Sequence, residues 1–385
     1  MSKRLGLIAV VLAALLATGI LAACSSSAPA PAATAAPAAQ PTKAAEPAKA
    51  AEPTKAAAPA AQPAQAAAQP AANFPKMEIR LGHTANTDLN YHKGSVKFAD
   101  LVKERTNGQV TVTVYPNSQL GNEKDVTEQV KSGVTQMATV GAAIVASFQG
   151  WEPIGVFSLP YVMKGNTEEE QYQNFIKLAR SPMMKDIAET AAKTSGIRAL
   201  DYSWWYGFRH LTTKNKQVVK TEDVKGLKIR TPDAPIHKVA LQTLGASVVG
   251  MGFAELYSAL QMGVVDGQEN PAQTIYTNKF YEVQKYLNLT GHMTQHQFLL
   301  INDKFYQGLS PELRKILDQA AIDAGEYQSK LQLADNKQSV EDLKAKGMVV
   351  SEIDRADWAD KTKDAWKQFQ PGITQALVDK VKQAQ

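Results

Sequence analysis

The stretch from Thr221 to Pro271 alternates strand and helix patterns, and this alternation restricts the fold more than any other feature of the sequence. The segment LKIR predicts a strand that ends before a proline, because proline cannot donate a ladder hydrogen bond. A helical pattern ending at Gly245, the strand ASVVGM, a second helix ending at Gly263 and a short strand over residues 264–266 follow. This β-α-β-α-β order predicts a parallel sheet with its loops on one side.

A second run of the same order lies between residues 76 and 141. The segments MEIRLGHT, QVTVTVYP and QMATVG have strand patterns, and helical patterns separate them. Two such units in one chain predict an α/β protein with two lobes. Thr84 follows the first of these strands, and ligand crevices of open α/β sheets lie outside the carboxyl ends of the strands. We therefore expect Thr84 to line a crevice.

Arg230 ends the strand LKIR, so it is predicted at the same kind of edge. An arginine fork makes two parallel hydrogen bonds to a carboxylate, a geometry that lysine cannot copy, and this favours a small organic acid as the ligand. The alternative is a structural ion pair with a nearby Asp or Glu. Asn270, which precedes Pro271, can cap the helix that this proline begins, or donate a hydrogen bond to a ligand, or do both.

Three strings occur in order along this part of the chain: EDVKGLKIRTP, GFAELYSALQMGVVDGQENP and FYEVQKYLNLTGH. With them, the chain after residue 76 closely resembles the substrate-binding proteins of tripartite ATP-independent periplasmic (TRAP) transporters of the C4-dicarboxylate and sialic-acid type. The resemblance implies a two-lobed periplasmic-binding-protein fold with a ligand cleft between the lobes and long C-terminal helices. It implies residues 76–206 with 296–335 as lobe I, and 207–295 with 336–385 as lobe II.

The resemblance also implies roles for individual residues. Arg230 matches the arginine that holds the substrate carboxylate, and Asn270 matches a second contact to the ligand. Arg209, in the turn Gly207-Phe208-Arg209, matches a further arginine that faces the ligand. Sialic-acid-type relatives carry an acidic ligand-facing residue near Gly141, and its absence favours a smaller acid, such as a C4-dicarboxylate, over a sugar acid.

Large aromatic residues lie near these positions in the sequence. Trp204, Trp205 and Tyr206 precede Arg209, and Phe253 follows the second strand of the Thr221–Pro271 stretch. An aromatic wall at Trp205 and Phe253 would exclude water from a bound acid and strengthen its salt bridge. Packing in the core or between the lobes is the alternative, because large aromatic side chains are mostly buried.

The first 75 residues do not have the pattern of a globular domain. Residues 1–23 have a positive start and an uncharged apolar stretch, and Leu21-Ala22-Ala23-Cys24 resembles a lipobox, which predicts a lipoprotein signal peptide and a lipid on Cys24. An uncleaved signal anchor is the alternative, although the stretch is short for a membrane span. Residues 24–75 are rich in Ala and Pro, and residues 25–73 lack aromatic and branched aliphatic side chains, so we expect a disordered tether. These features predict an extracytoplasmic protein anchored to the membrane.

Composition and motifs exclude several classes of function. The formal net charge is +5, but the signal segment and the tether account for +3 of it, so the folded part gives no reason to expect a nucleic acid partner. His292 and His296 are the one pair with metal-ligand spacing, and on a strand their side chains would lie too far apart for one ion. No phosphate loop, hydrolase elbow, zinc-protease helix or catalytic cysteine motif occurs. We therefore expect a protein that binds neither a metal nor a cofactor and that is not an enzyme.

The sequence therefore predicts a binding protein that captures a small carboxylate and delivers it to a TRAP permease with small and large membrane subunits. Two other hypotheses stay open at this stage. One keeps the carboxylate but replaces the permease by an ATP-driven importer or a sensor kinase. The other is a membrane-tethered enzyme on a two-lobed scaffold, for which no catalytic residue is apparent.

Overall fold

The computed structural model describes residues 74–385 of the chain. The predicted signal peptide, Cys24 and the tether up to residue 73 lie outside the described residues. Phe74 is already buried in a hydrophobic core. Between residues 74 and 385, no helix has the length and apolar character needed to cross a bilayer.

The strands of this part of the chain join in one mixed sheet. Their bounds are β1 Met77–Gly82, β2 Val110–Tyr115, β3 Met137–Gly141, β4 Ile197–Thr213, β5 Lys228–Thr231, β6 Ser247–Gly250, β7 Gly267–Asn270, β8 Tyr286–Asn302 and β9 Val349–Ser351. The order across the sheet is β2-β1-β3-β8-β4-β7-β5-β6, and β9 pairs with β8.

Helices cover the faces of this sheet. Their bounds are α1 Asn90–Arg105, α2 Glu123–Ser132, α3 Ala142–Val145, α4 Glu168–Ala179, α5 Pro182–Ser195, α6 Pro235–Thr243, α7 Leu256–Gln261, α8 Ala272–Thr277, α9 Asp303–Gln307, α10 Pro311–Ala345, α11 Arg355–Thr362 and α12 Gln375–Gln383. Short 3₁₀ turns lie at Glu152–Ser158, Thr221–Val224, Phe253–Glu255, Phe280–Glu282 and Ala365–Phe369.

Two parallel units form the two ends of the sheet. Strand β1 pairs in parallel with β2 and β3, and β5 pairs in parallel with β6 and β7. We call the unit around β1–β3 the first lobe and the unit around β5–β7 the second lobe. Both units were predicted from the strand and helix alternation, and the structure confirms them.

Three long elements belong to both lobes. Strands β4 and β8 have 17 residues each and pair antiparallel between the two parallel units. Helix α10 has 35 residues and packs against α1, β4 and α8. Its start is as the sequence predicts, because the Ser310 side chain caps the helix by accepting a hydrogen bond from the backbone nitrogen of Leu313 at 3.2 Å.

The predicted lobe boundaries fall inside these shared elements. In the β4–β8 ladder, Trp205 lies opposite His296 and Gly207 lies opposite Gln295, with an irregularity in the register between these pairs. Both predicted crossings, at 206/207 and 295/296, are therefore at the same level of the sheet. Helix α10 continues through the third boundary at 335/336. The division itself stays a prediction.

One local prediction in the second lobe was wrong. The last strand of the Thr221–Pro271 stretch is Gly267–Asn270 rather than 264–266. The reason is the way in which helix α7 ends. Gly263 has φ +71°, and the backbone nitrogen of Val264 donates to the carbonyl of Ala259 at 2.9 Å. This bond places Val264 in the helix cap, so the strand begins later.

The cores follow the lobes and the shared elements. In the first lobe, apolar residues of β1 and α1 pack on the α10 residues Leu313, Leu317 and Ala321. In the second lobe, one cluster joins residues of α7 and α8 with Leu343 of α10, and another joins residues of β5 and α6 with Trp358. The C-terminal residues 366–381 pack with first-lobe residues and with Ile236 of α6. The chain end therefore contacts both lobes.

Candidate ligand-binding site

A cavity of about 290 Å³ lies between the two lobes, near the carboxyl ends of β1, β5 and β6. The first lobe contributes one part of its lining, namely Thr84, Asn122, Glu123, Lys124 and Ile144. The second lobe contributes the other part, namely Arg230, Pro232, Asp233, Gly250, Met251, Gly252, Phe253 and Glu255. Such an edge of an open α/β sheet is where ligands bind.

Arg230 presents its guanidinium group to this cavity. Its Nε and Nη2 atoms both donate to the carbonyl oxygen of Met251, at 3.0 and 2.6 Å. Its Nη1 atom is buried and has no hydrogen-bond partner within residues 74–385. Burial lowers the pKa of Arg230 to about 10, and the charge of Arg209 acts in the same direction, so the group stays protonated at neutral pH. The site thus holds a buried cation with unused donors.

The structural ion pair that was the alternative for Arg230 occurs at Arg209 instead. Within the described chain, no carboxylate oxygen lies within 4 Å of Arg230. Arg209 donates through Nε and Nη2 to both carboxylate oxygens of Glu269, with 2.9 Å for Nη2 to Oε1, and through Nη1 to Gln295. Both members of the pair are almost completely buried, at 1% and 0% side-chain exposure.

Two histidines flank this buried pair. His237 Nδ1 and His292 Nε2 each lie 3.7 Å from a carboxylate oxygen of Glu269. Burial lowers the pKa of His292 to about 3, and the charge of Arg209 adds to this, so its imidazole is neutral at physiological pH. The group forms a packed polar layer below the cavity and does not belong to its lining.

Asn270 ends β7, and its side chain is turned into the protein. Its Nδ2 atom donates to Oε1 of Gln268 at 2.5 Å, and Gln268 in turn donates to Thr212 at 3.0 Å. Asn270 does not cap the next helix, because α8 has Pro271 at its N-cap and no side-chain cap. Asn270 and Arg209 are absent from the cavity lining, and their predicted contacts to a ligand stay predictions.

The aromatic candidates separate in the structure. Phe253 lines the cavity, and the Arg230 guanidinium carbon lies 5.8 Å from its ring centre. Trp205 does not reach the cavity lining. It is fully buried, packs on Tyr172 and Phe175, and donates from Nε1 to Glu168 at 2.8 Å. For Trp205 the structure therefore shows the packing alternative rather than an aromatic wall.

Glu123 is the site residue that the sequence reasoning missed. It opens α2, and its Oε1 atom accepts a hydrogen bond from the backbone nitrogen of Gly141 at 2.8 Å. The loop at Gly141 has no acidic side chain, but Glu123 brings a carboxylate to its backbone nitrogen from α2, so the preference for a smaller acid stays a prediction. A Cβ atom at position 141 would overlap the Gln295 side-chain nitrogen, so the observed packing requires glycine there. Burial raises the pKa of Glu123, although the charges of Arg209 and Arg230 lower it.

A second cavity of about 450 Å³ continues past Phe253. It shares Thr84 and Phe253 with the first cavity and is otherwise lined by Asn86, Asn117, Ser118, Ala254, Tyr257, Asn278, Lys279, Phe280 and Glu282. At this end the lobes touch, because Asn86 Nδ2 donates to Asn278 Oδ1 at 3.0 Å. Thr84 itself bonds to the hydroxyl of Tyr91 at 3.1 Å.

The histidine pair on β8 has separate surroundings. His292 lies beside Glu269, whereas His296 packs on the ring of Phe175 at 4.3 Å between centres. Among residues 74–385, no group of three or more His, Cys, Asp or Glu side chains is placed to hold a metal ion.

Comparison with known proteins identifies the family of the chain that forms this cleft. The family model of bacterial extracellular solute-binding proteins, family 7, matches residues 81–371. The chain belongs to this family. The predicted resemblance to TRAP substrate-binding proteins and the predicted solute-binding function are thereby confirmed.

Named relatives of this family 7 protein bind acids of different kinds. The chain is 30% identical over 296 residues to the 2,3-diketo-L-gulonate-binding periplasmic protein YiaO of Escherichia coli, a match that covers 76% of this chain and 87% of YiaO. It is 31% identical over 297 residues to the C4-dicarboxylate-binding periplasmic protein DctP of Rhodobacter capsulatus, with 76% and 86% covered.

A solved structure supports the fold. The sugar acid binding protein DctPAm of Advenella mimigardefordensis, in complex with galactonate, is 29% identical and has a TM-score of 0.74. The match covers 80% of this chain and 97% of that protein. The predicted two-lobed α/β fold is therefore confirmed.

Proposed function

We propose that this family 7 protein captures a small organic acid between its two lobes and delivers it to a TRAP permease. The observation that carries the proposal is the state of Arg230. Met251 occupies its Nε and one side of its Nη2, so the terminal edge formed by Nη1 and Nη2 is left to make two parallel hydrogen bonds to a carboxylate. A ligand in this position contacts both lobes and favours their closed arrangement.

The remaining cavity lining favours a hydroxylated acid. Glu123 faces the same space from the first lobe, and a carboxylate there accepts hydrogen bonds from hydroxyl groups but repels a second carboxylate. The second cavity beyond Phe253, with Asn86, Asn117 and Asn278 in its lining, offers room for a longer hydroxylated chain. The sugar acid binding protein DctPAm, solved in complex with galactonate, and the 2,3-diketo-L-gulonate-binding protein YiaO fit this chemistry.

A C4-dicarboxylate is the second candidate, and one residue favours it. Lys124 also lines the cavity and is exposed, so its ammonium group can approach a second carboxylate. The R. capsulatus relative is a C4-dicarboxylate-binding protein. Lys124 is a mobile point charge, whereas Glu123 is held by Gly141, and for this reason we place the hydroxylated acid first.

The other site residues take supporting roles in this proposal. Phe253 covers the charged group and excludes water, and Thr84 borders the ligand from the first lobe. Arg209 adds positive charge from below and keeps Glu269 paired, and Asn270 reaches the ligand only if its amide turns away from Gln268. We propose binding without turnover, in line with the solute-binding family.

We also propose that the mature protein is held at the membrane by a lipid on Cys24. The support is the sequence Leu21-Ala22-Ala23-Cys24 after an apolar stretch, followed by the Ala- and Pro-rich tether. The tether would keep the folded lobes close to the permease and raise their effective concentration there. Replacement of Cys24 by Ser should release the protein from membranes into the soluble fraction.

The test of the proposed function is a ligand screen on the purified protein. Thermal shift with galactonate, gluconate, erythronate, succinate and malate, followed by calorimetry, should show binding of at least one hydroxylated monocarboxylate. Tighter binding of succinate would select the second candidate. Binding of none of these acids would refute acid capture.

A further inference from the structure

A carboxylate outside the cavity that Arg230 lines joins the elements that connect the lobes. Glu168 is the first residue of α4, and its Oε1 atom accepts two hydrogen bonds. One comes from Trp205 Nε1 in β4 at 2.8 Å, and the other comes from Asn336 Nδ2 in α10 at 2.7 Å. Strand β4 and helix α10 are two of the three elements that belong to both lobes.

The position of this contact along β4 is the place where the strand is irregular. Gly207 has φ +109°, and the pairing with β8 shifts between Trp205 and Gly207. A Cβ atom at position 207 would overlap both Glu168 Oε1 and Asn336 Nδ2. Glycine is therefore required here both by the backbone conformation and by the close approach of the linked side chains.

Asn336 extends the link into the second lobe. Besides its bond to Glu168, Nδ2 donates to the carbonyl of Tyr206 at 3.2 Å, and Oδ1 accepts from the backbone nitrogen of Gln273 in α8 at 3.3 Å. One asparagine on α10 thus contacts α4, β4 and α8. The bonds therefore join α4 to α8 of the second lobe through α10.

We propose that Glu168 is a positioning residue for the hinge between the lobes. By holding β4 at Gly207 to α10 at Asn336, it favours the arrangement in which both lobes border the ligand cavity, and it does so without contact to the ligand. The effect on affinity rests on the proposed function, whereas the effect on lobe arrangement does not. Loss of the carboxylate leaves two buried donors without an acceptor in this arrangement, so arrangements that expose these donors to water gain population.

Burial also changes the protonation of Glu168. It raises the pKa of this group to about 7, in spite of the hydrogen bonds from Asn336 and Trp205 that act in the opposite direction. The hinge role rests on the hydrogen bonds that Glu168 accepts and not on this shift, because the cost of burying an ionised carboxylate by itself favours arrangements in which the group is hydrated.

The test measures lobe arrangement without ligand. In a Cys24→Ser background, spin labels at Lys103→Cys on α1 and Gln261→Cys at the end of α7 report the distance between the lobes by pulsed electron resonance. Glu168→Ala should shift the distribution to longer distances or broaden it. Glu169→Ala, its exposed neighbour on α4, is the matched control and should leave the distribution unchanged.

A second variant covers the case in which Glu168→Ala does not fold. Trp205→Phe removes the Nε1 donor but keeps a ring in the aromatic cluster with Tyr172 and Phe175, and it should cause a smaller shift in the same direction. If the folded variants keep the wild-type distance distribution and only unfold at a lower temperature, Glu168 has no hinge role and the proposal is wrong.

Calorimetry with galactonate as the probe separates the two proposals. We expect Glu168→Ala to weaken galactonate binding about five-fold, although residue 168 does not line the cavity at Arg230. If the wild-type protein binds no acid, the proposed function fails while the distance measurement still decides the role of Glu168. If the wild type binds galactonate and Glu168→Ala binds it with equal affinity, the hinge proposal fails alone.

Discussion

The carbonyl oxygen of Met251 accepts hydrogen bonds from both Nε and Nη2 of Arg230. This contact holds the guanidinium plane in one orientation at the edge of the cavity between the lobes and leaves Nη1 without a partner among the described residues. The anchor is thus already oriented before a ligand arrives, and little side-chain entropy is lost on binding.

Replacement of Arg230 by Lys should weaken acid binding by about 2 kcal/mol or more. A lysine has no fork, so it cannot bond to Met251 and to both oxygens of a carboxylate in the same arrangement. Calorimetry with the tightest acid from the screen measures the loss. Arg198→Lys is the control, because Arg198 has little exposure, at 12% of its side chain, but pairs with Glu189 and Asp303 and does not line the cavity. Unchanged affinity in Arg230→Lys would refute the anchor role.

Replacement of Glu123 by Gln should separate the two candidate ligand classes. Loss of the charged acceptor should weaken binding of galactonate by about 1–2 kcal/mol. The affinity for succinate should stay the same or rise, because a like charge is removed from the cavity. Lys124→Gln is the paired variant and should leave galactonate binding unchanged. Weaker succinate binding in Lys124→Gln, together with no effect of Glu123→Gln on galactonate, would favour the dicarboxylate.

Replacement of Glu269 by Gln should destabilise the fold by about 3 kcal/mol or more. Arg209 would keep its charge in a buried place with no anionic partner, and such loss of one partner of a buried pair is strongly destabilising. Urea unfolding followed by circular dichroism measures the change. Glu341→Gln removes an exposed partner of Lys344 on α10 and should have a much smaller effect. Equal effects of the two substitutions would show that Arg209 tolerates the loss of its partner.

The stability of the protein should depend on pH through Glu168. Its pKa in the folded state is raised to about 7, mainly by burial. The folded state therefore binds the proton more tightly than the unfolded state, and the stability gained in this way is complete below pH 4.5 and is lost as the pH rises through 7. Relative to Glu168→Gln, the wild type should lose up to about 3 kcal/mol of unfolding free energy between pH 4.5 and 8.

Denaturant unfolding of wild type and Glu168→Gln at pH 5, 6, 7 and 8 measures this dependence. Glu168 lines a cavity of about 1010 Å³, and the other charged or titratable groups that border it are Glu169 and Tyr172 on α4, Arg180 after α4, His210 on β4, and Glu326, Lys330 and Lys337 on α10. The difference in unfolding free energy between the wild type and Glu168→Gln cancels the direct contributions of these other groups. A difference that stays constant from pH 5 to 8 would contradict a raised pKa at Glu168. Glu169→Gln is the control and should keep a pH dependence close to that of the wild type, because the charge of Glu169 is the smallest of the causes that act on the pKa of Glu168.

Much of the fold could be predicted from local patterns, because the strands of both lobes carry clear periodicity and their order implies parallel pairing. The place of Arg230 at a strand end likewise followed from the proline two residues later. The partner of Arg209 could not be predicted, because Glu269 reaches it only through the register of β7 against β4. Glu123 escaped notice for a similar reason, since its carboxylate enters the cleft through the packing of α2 against the end of β3.

The last prediction concerns Gly207, where a side chain would cost stability through the backbone conformation and through overlap with neighbouring side chains. Gly207→Ala should destabilise the protein in two ways, because its backbone has φ +109° and because the new Cβ would overlap Glu168 and Asn336. Gly226→Ala is the matched control: Gly226 has φ +80° and no atom within 4 Å of a Cβ at this position, so it bears the backbone cost alone, about 1 kcal/mol. Denaturant unfolding should therefore show a clearly larger loss for Gly207→Ala than for Gly226→Ala. Equal losses would mean that Glu168 and Asn336 move aside freely, and such freedom would also argue against a hinge that depends on their contact.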